Sequence, residues 1–154
     1  MIVETTHRGL RVVAMNRADL QQLAEDRALD AQALLDAGRW SGAYYLAGYA
    51  VECALKSCVL IYVTTAAEVI FQDRRYSEKC WTHNLEDLVK LAGLETLRAT
   101  DIAANPALGT NWLIVKDWSE MARYQQQTEP QARRLVEAVS DTTNGVLPWI
   151  RAHW

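Results

Sequence analysis

Proline and glycine are scarce in this chain. Its 154 residues include three prolines and seven glycines, so few positions force the backbone out of regular structure, and the composition favours helix. Cysteine is as sparse and odd in number: Cys53, Cys58 and Cys80 show no C-x-x-C spacing, which speaks against a disulfide framework. Cys53 and Cys58 stand on one expected helix and point to different sides, so they cannot bridge each other. The pattern is that of a reducing compartment with cysteines used as small apolar residues. His7, His83 and His153 are far apart in sequence and pair with no acid or cysteine at ligand spacing, so neither a metal site nor a cofactor is expected. There is no Gly-rich phosphate loop, no Ser/His/Asp order that could be defended, no pair of catalytic carboxylates, no internal repeat and no low-complexity tract. The opening "MIVETTHRGLRVVAMNR" has no continuous apolar core and no small-residue cleavage site, so no signal peptide is read and the cytoplasm is the expected address.

Charge is not in excess either. The formal net charge of −3 gives no overall pull toward nucleic acid or anionic lipid; such binding would need a local patch. Arg8, Arg11 and Arg17, the pair Arg74-Arg75 and the pair Arg133-Arg134 read as solvated surface. What is present is an apolar fraction of 50% against 23% charged residues, enough for one domain with a real core.

Asn16 followed by Asp19 has the form of an N-cap with an acidic third position, and "RADLQQLAEDRALDAQALLDAG" then repeats apolar residues at helical spacing up to a stop at Gly38. Ser41 is expected to cap a second helix running to about Ala67. A third begins after Thr82 and closes at Gly93. "LETLRATDIAANPALGT" reads as a short helical turn and a loop broken at Asn105-Pro106, and "NWLIVKDWSEMARY" as a fourth helix. Pro130 fits the first turn of a helix that runs to Thr143, and Pro148 opens or kinks a terminal segment ending at Trp154. The expectation is an all-α, up-and-down antiparallel bundle of four to five helices over residues 16–154, preceded by an arm over residues 1–15.

The second helix carries an acid and a base inside its apolar run "GYAVECALKSC". On a helical projection Ala43, Ala47, Ala50 and Ala54 form a seam of small residues that lets another helix approach closely. Tyr45, Tyr49, Glu52 and Lys56 share a different line. A membrane span needs ~20 mostly apolar residues, and the charge-free halves Ser41 to Val51 and Ser57 to Ala67 are each far shorter, so no membrane is expected. Two readings of the pair stay open. In one, Glu52 and Lys56 are an ordinary surface ion pair, worth about 0.3–0.5 kcal/mol. In the other, Glu52 lies in a partly buried groove near the Tyr45 and Tyr49 hydroxyls and organises a ligand or a second subunit. His83 reads as a helix-entry residue or a ligand contact, and Arg123-Tyr124 as a structural stack or a phosphate contact. The six tryptophans read mostly as core or dimer interface.

"LLDAGRWSGAYYLAGYAVECALKSCV" resembles the first-to-second helix region of HEPN-domain proteins. "THNLEDLVKLAG" resembles that family's third segment and "WSEMARYQ" its fourth, so the ordered set covers nearly the whole chain from Asn16. The resemblance implies a helical bundle that dimerises. It also implies a setting in prokaryotic two-component modules, toxin–antitoxin or defence, with a minimal nucleotidyltransferase as partner. Many members are metal-independent ribonucleases with an Arg, four to six residues, then a His. That motif is missing here. The qualifying positions before His83 are Tyr76, Ser77 and Glu78, and those before His153 are Val146, Leu147 and Pro148; counted forward from Arg123, a His would fall at Thr128, Glu129 or Pro130. The expectation is therefore a homodimeric, cytoplasmic, HEPN-like module that binds nucleotide or RNA and is not a ribonuclease. Its candidate site residues are Tyr45, Tyr49, Glu52, Lys56, His83, Arg123 and Tyr124. The alternatives are a ribonuclease toxin with an atypical site, built on His83 with Arg74 or Arg75 or on Arg123 with Tyr124, and a pure protein-interaction partner.

Overall fold

The structure, a computed structural model, describes residues 15–66 and 74–154. The expected arm lies outside these residues but for Met15, and so does Ala67. Among the described residues there are eight α-helices and no strand: α1 (Arg17–Asp36), α2 (Trp40–Thr65), α3 (Tyr76–Lys79), α4 (Leu85–Leu91), α5 (Glu95–Ala104), α6 (Pro106–Val115), α7 (Glu129–Ser140) and α8 (Val146–Arg151), with a 3-10 turn at Glu120–Tyr124. The chain is an all-helical bundle with more and shorter helices than the four to five expected.

Local chemistry explains the first pair. The Asn16 side chain accepts from Asp19 N at 2.9 Å and the Asp19 carboxylate accepts from Asn16 N at 3.0 Å, a reciprocal capping box. At the other end Arg39 N bonds Leu34 O at 2.8 Å and Gly38 N bonds Leu35 O at 3.1 Å. Gly38 takes φ 73, which a residue without Cβ adopts freely. The turn sends α2 back along α1, with Leu34 against Gly42 near the turn and Arg27 beside Cys53 further along. Gly93 (φ 69) closes α4 in the same way, with Leu94 N bonded to Val89 O at 3.0 Å.

α2 is the centre of the bundle. It packs against α1, α4, α7, α8 and the 3-10 turn, and Ala43, Ala47, Ala50 and Ala54 are all 0–1% exposed. Small side chains on this line let neighbouring backbones come close. By length and composition α2 could cross a membrane, and 61% of its most apolar window is buried inside the protein.

Four expectations are corrected. Ser41 does not cap α2; the N-cap is Arg39. The Ser41 hydroxyl instead accepts from Gln127 N at 2.9 Å and donates to the Gln126 side chain at 3.4 Å, tying the start of α2 to the approach to α7. Residues 95–104 form a full helix, and Asn105 both ends it and caps α6 by accepting from Leu108 N at 3.4 Å. "NWLIVKDWSEMARY" is not one helix: α6 stops at Val115, and the chain turns before the 3-10 segment. α7 ends at Ser140 and not Thr143, because the Asp141 carboxylate takes Thr143 N and Asn144 N at 3.0 and 2.6 Å and winds the chain into a turn.

Glu86 fastens α4, α5 and α6 together. Its carboxylate accepts from Arg98 at 2.7 Å and from the Trp112 indole N–H at 2.8 Å, while the Arg98 guanidinium lies over the Trp112 ring at 4.7 Å. Burial alone would raise the Glu86 pKa, but the bonds from Arg98 and Trp112 outweigh it and hold it below the ordinary 4.5. A depressed folded pKa adds stability that is present above the unfolded value and lost as pH falls through the folded one. Glu86→Gln should therefore destabilise the protein by about 1–3 kcal/mol at neutral pH. In denaturant melts taken at decreasing pH the gap to wild type should close in the acid range; a gap independent of pH would contradict this account.

Gly48 sits mid-helix on α2, where its own propensity disfavours helix by ~1 kcal/mol relative to Ala. Its value is steric: a Cβ there would run into the ring of Trp118. Gly48→Ala should destabilise by about 1–3 kcal/mol through overpacking despite the better helix former, and a rise in thermal midpoint would refute the contact.

Candidate functional site

Of the charged residues on α2, Glu52 is the buried one, 2% exposed in the middle of a helix whose neighbours are Val51, Cys53 and Leu55. Removing a carboxylate from water is costly unless donors replace the solvent. Two do so on the same oxygen. Lys56 Nζ, one turn further along α2, lies 2.8 Å from Glu52 Oε1. His83 Nδ1, from the connection between α3 and α4, lies 2.9 Å from it. An ionised carboxylate only accepts, so this contact selects the imidazole form with a proton on Nδ1. The side chains of Lys56 and His83 are 24% and 45% exposed. The cluster is therefore a buried acid holding two solvent-reaching donors, and the surface-pair reading of Glu52 and Lys56 does not fit this burial.

The surroundings of Glu52 are polar on one side and aromatic beyond. Its second oxygen, Oε2, is buried with no hydrogen-bond partner among the described residues, and so is Arg27 Nε on α1. Arg27 also bonds Asp30 at 3.0 Å, and its charge is felt at Cys53. Burial first, then Cys53 and Glu52, push the Tyr49 phenol up to about 12. Burial and the Glu52 charge push the Cys53 thiol up to about 11, so it is a neutral packing group at ordinary pH.

Of the residues singled out in the sequence, Glu52, Lys56 and His83 meet directly, and Tyr49 lies near enough to feel the Glu52 charge. Tyr45 does not reach the carboxylate. Its ring is parallel to Tyr49 at 6.0 Å and tilted against Trp118 at 6.0 Å. Arg123 and Tyr124 form a separate exposed pair, with the guanidinium 5.4 Å from the Tyr124 ring centre and its Nε bonded to the Glu120 carbonyl at 3.1 Å. His83 finds its partner in an acid, Glu52. Arg27 and Cys53 escaped the sequence reading. The available signal was a charged residue inside the apolar register of α1, between Ala24 and Ala31, both buried. Among the described residues no group of three or more His, Cys, Asp and Glu stands close enough to hold a metal ion.

No protein-family model, curated protein or solved structure matches this chain.

The cluster is asymmetric, and that makes it testable. Lys56→Met strands a buried carboxylate with His83 alone, and should cost a sizeable part of the ~3–5 kcal/mol typical of a broken buried pair. Glu52→Gln leaves an ammonium that can turn to water, and should cost less. The double mutant should recover much of the Lys56→Met loss. Denaturant melts giving small additive effects for all three variants would mean that Glu52 is not held as described.

Proposed function

We propose that this chain is a HEPN-like, homodimeric binding module for a phosphate-bearing ligand, nucleotide or RNA, acting in the cytoplasm as one member of a prokaryotic two-component system with a nucleotidyltransferase partner. The observation that carries the ligand class is the attachment of Lys56 and His83 to one oxygen of the buried Glu52. An ammonium has three N–H donors, and only one is spent on Glu52. A ligand meeting the others must be rich in acceptors, which a phosphate is. Glu52 contributes by fixing both donors in advance, so little side-chain freedom is lost on binding. The ordered resemblance of three segments supports the fold family and the partner.

A second reading has its own observation. A carboxylate on Nδ1 orients an imidazole as in a general base, a role worth ~10²–10⁴ in rate. Against it stands the missing Arg-to-His spacing at every histidine. Titration calorimetry with inorganic pyrophosphate should show binding that weakens at least roughly tenfold in Lys56→Met and in His83→Ala, the loss of one charge-assisted contact. Purified protein should leave single-stranded RNA intact in the absence of metal. Robust cleavage abolished by His83→Ala would promote the ribonuclease reading over this one.

A further inference from the structure

A groove of about 360 Å³ runs between α6 and α7 and takes Tyr44 of α2 into its wall. Its volume falls in the range of small-ligand sites. The two helices run antiparallel: Thr110 and Asn111 of α6 stand with Glu137 and Asp141 at the C-terminal end of α7, and Asn111 Nδ2 donates to Asn144 O at 2.9 Å. The groove therefore has two distinct ends. Thr110 and Arg134 lie toward one; Asp117, just past α6, and Gln127, just before α7, lie at the other. Between them the lining is apolar, built from Leu113, Ile114 and Leu135, and Leu113 is left 61% exposed.

The two ends carry opposite charges, and neither charge is spent on the other. Arg134 makes no ion pair or hydrogen bond among the described residues, whereas its neighbour Arg133 is paired with Glu129 at 2.8 Å. Asp117 gives one oxygen to Lys116 at 2.7 Å. Lys116 does not line the groove, and an ionised carboxylate has room for further donors on its second oxygen. Burial first, then the Asp117 charge, raise the Tyr44 pKa above its ordinary 10.0, so Tyr44 presents a neutral hydroxyl near that end. Gln131 lies along the wall. Its Oε1 is taken by Thr128 N and Oγ1 at 2.8 and 2.9 Å, which leaves its amide N–H groups for a carbonyl.

We infer that this groove is a site for a short apolar peptide with both termini free: Arg134 takes the carboxylate, Asp117 the ammonium, and Leu113, Ile114 and Leu135 the side chains. The length follows from the helix. Thr110 and Asp117 are seven positions apart, roughly 10 Å at the helical rise, and three extended residues span about the same. A single amino acid holds its two charges too close together to reach both ends. A guanidinium matches a carboxylate in fork geometry, and the acid at the opposite end disfavours a ligand that is anionic throughout. The site shares no residue with the Glu52 cluster and is independent of the phosphate reading.

Calorimetric titration of the full chain with trileucine, its C-terminal amide, its N-acetyl form and free leucine tests the assignment. Trileucine should bind, and blocking either end should weaken it roughly tenfold, the loss of one charge-assisted contact. Free leucine should bind more weakly than trileucine by at least as much. Arg134→Met should lower the affinity for trileucine to that of its amide and make the protein indifferent to amidation. Asp117→Asn should do the same for acetylation, a cross-dependence that a purely structural role would not produce. Arg134 and Asp117 are both exposed, so these variants should keep the wild-type thermal midpoint to within a few degrees. Absence of trileucine binding at millimolar concentration, or binding that ignores Arg134→Met, overturns the site. Binding that depends on the carboxylate but ignores both acetylation and Asp117→Asn overturns the two-ended assignment. Light scattering in which Leu113→Asp converts a dimer to a monomer would assign the groove to a subunit interface and overturn it as well.

Discussion

The carboxylate of Glu52 lies on the helix against which most of the bundle packs, and burying it there constrains much that follows. A charge cannot be left dry, so donors must be delivered to one point on α2. Lys56 comes from the same helix at no topological expense. His83 comes from a different part of the chain, and its arrival fixes the connection between α3 and α4. Asn84 follows at once and caps α4 by accepting from Asp87 N at 3.0 Å. α4 then sets its buried face, Leu85, Leu88 and Val89, against the core, and presents Glu86 to Arg98 and Trp112. A polar requirement at the centre is thereby passed outward through three further helices.

The aromatic side of α2 answers a different constraint. Trp118 enters where Gly48 leaves room, and Tyr45 and Tyr49 extend the same surface. Trp118 Nε1 is buried with no hydrogen-bond partner among the described residues, so the ring is held by shape and area and not by its polar handle. Across the bundle, Arg151 of α8 grips Glu25 of α1 with two bonds of 2.6 and 3.0 Å, and the Trp149 indole donates to Asp101 at 2.8 Å. The last helix is thus tied to both α1 and α5.

Features that depend on a few consecutive residues were legible in the sequence. Asn16 with Asp19, Gly38, Gly93 and Pro130 all mark helix ends where their chemistry says they should, because a cap is a local bargain between side chain and backbone. α5 reads as only a short helical turn in the sequence because none of its residues is buried, so no fully buried apolar stripe marks its length. The fourth helix was drawn too long because Trp112, Val115 and Trp118 keep a spacing of three through a turn; all three are buried, but by different pieces of backbone. In the site, the Glu52–Lys56 pair could be seen from its spacing within one helix. Its attachment to His83 spans 31 positions, and no local pattern encodes a contact between separate elements. Arg27 belongs to the same class, since its place beside Cys53 depends on how α1 lies on α2.

The state of the cysteines has a kinetic consequence. Burial pushes the Cys53 thiol up to about 11 and the Cys58 thiol up to about 12, and both side chains are shut away from solvent. Alkylating reagents attack the thiolate, so neither sulfur reacts at neutral pH until α2 is uncovered. Cys80, half-buried in the turn after α3, is shielded less, although burial raises its thiol as well. The molecule therefore carries three built-in clocks. One times motion near the His83 connection, and two time the opening of the central helix itself.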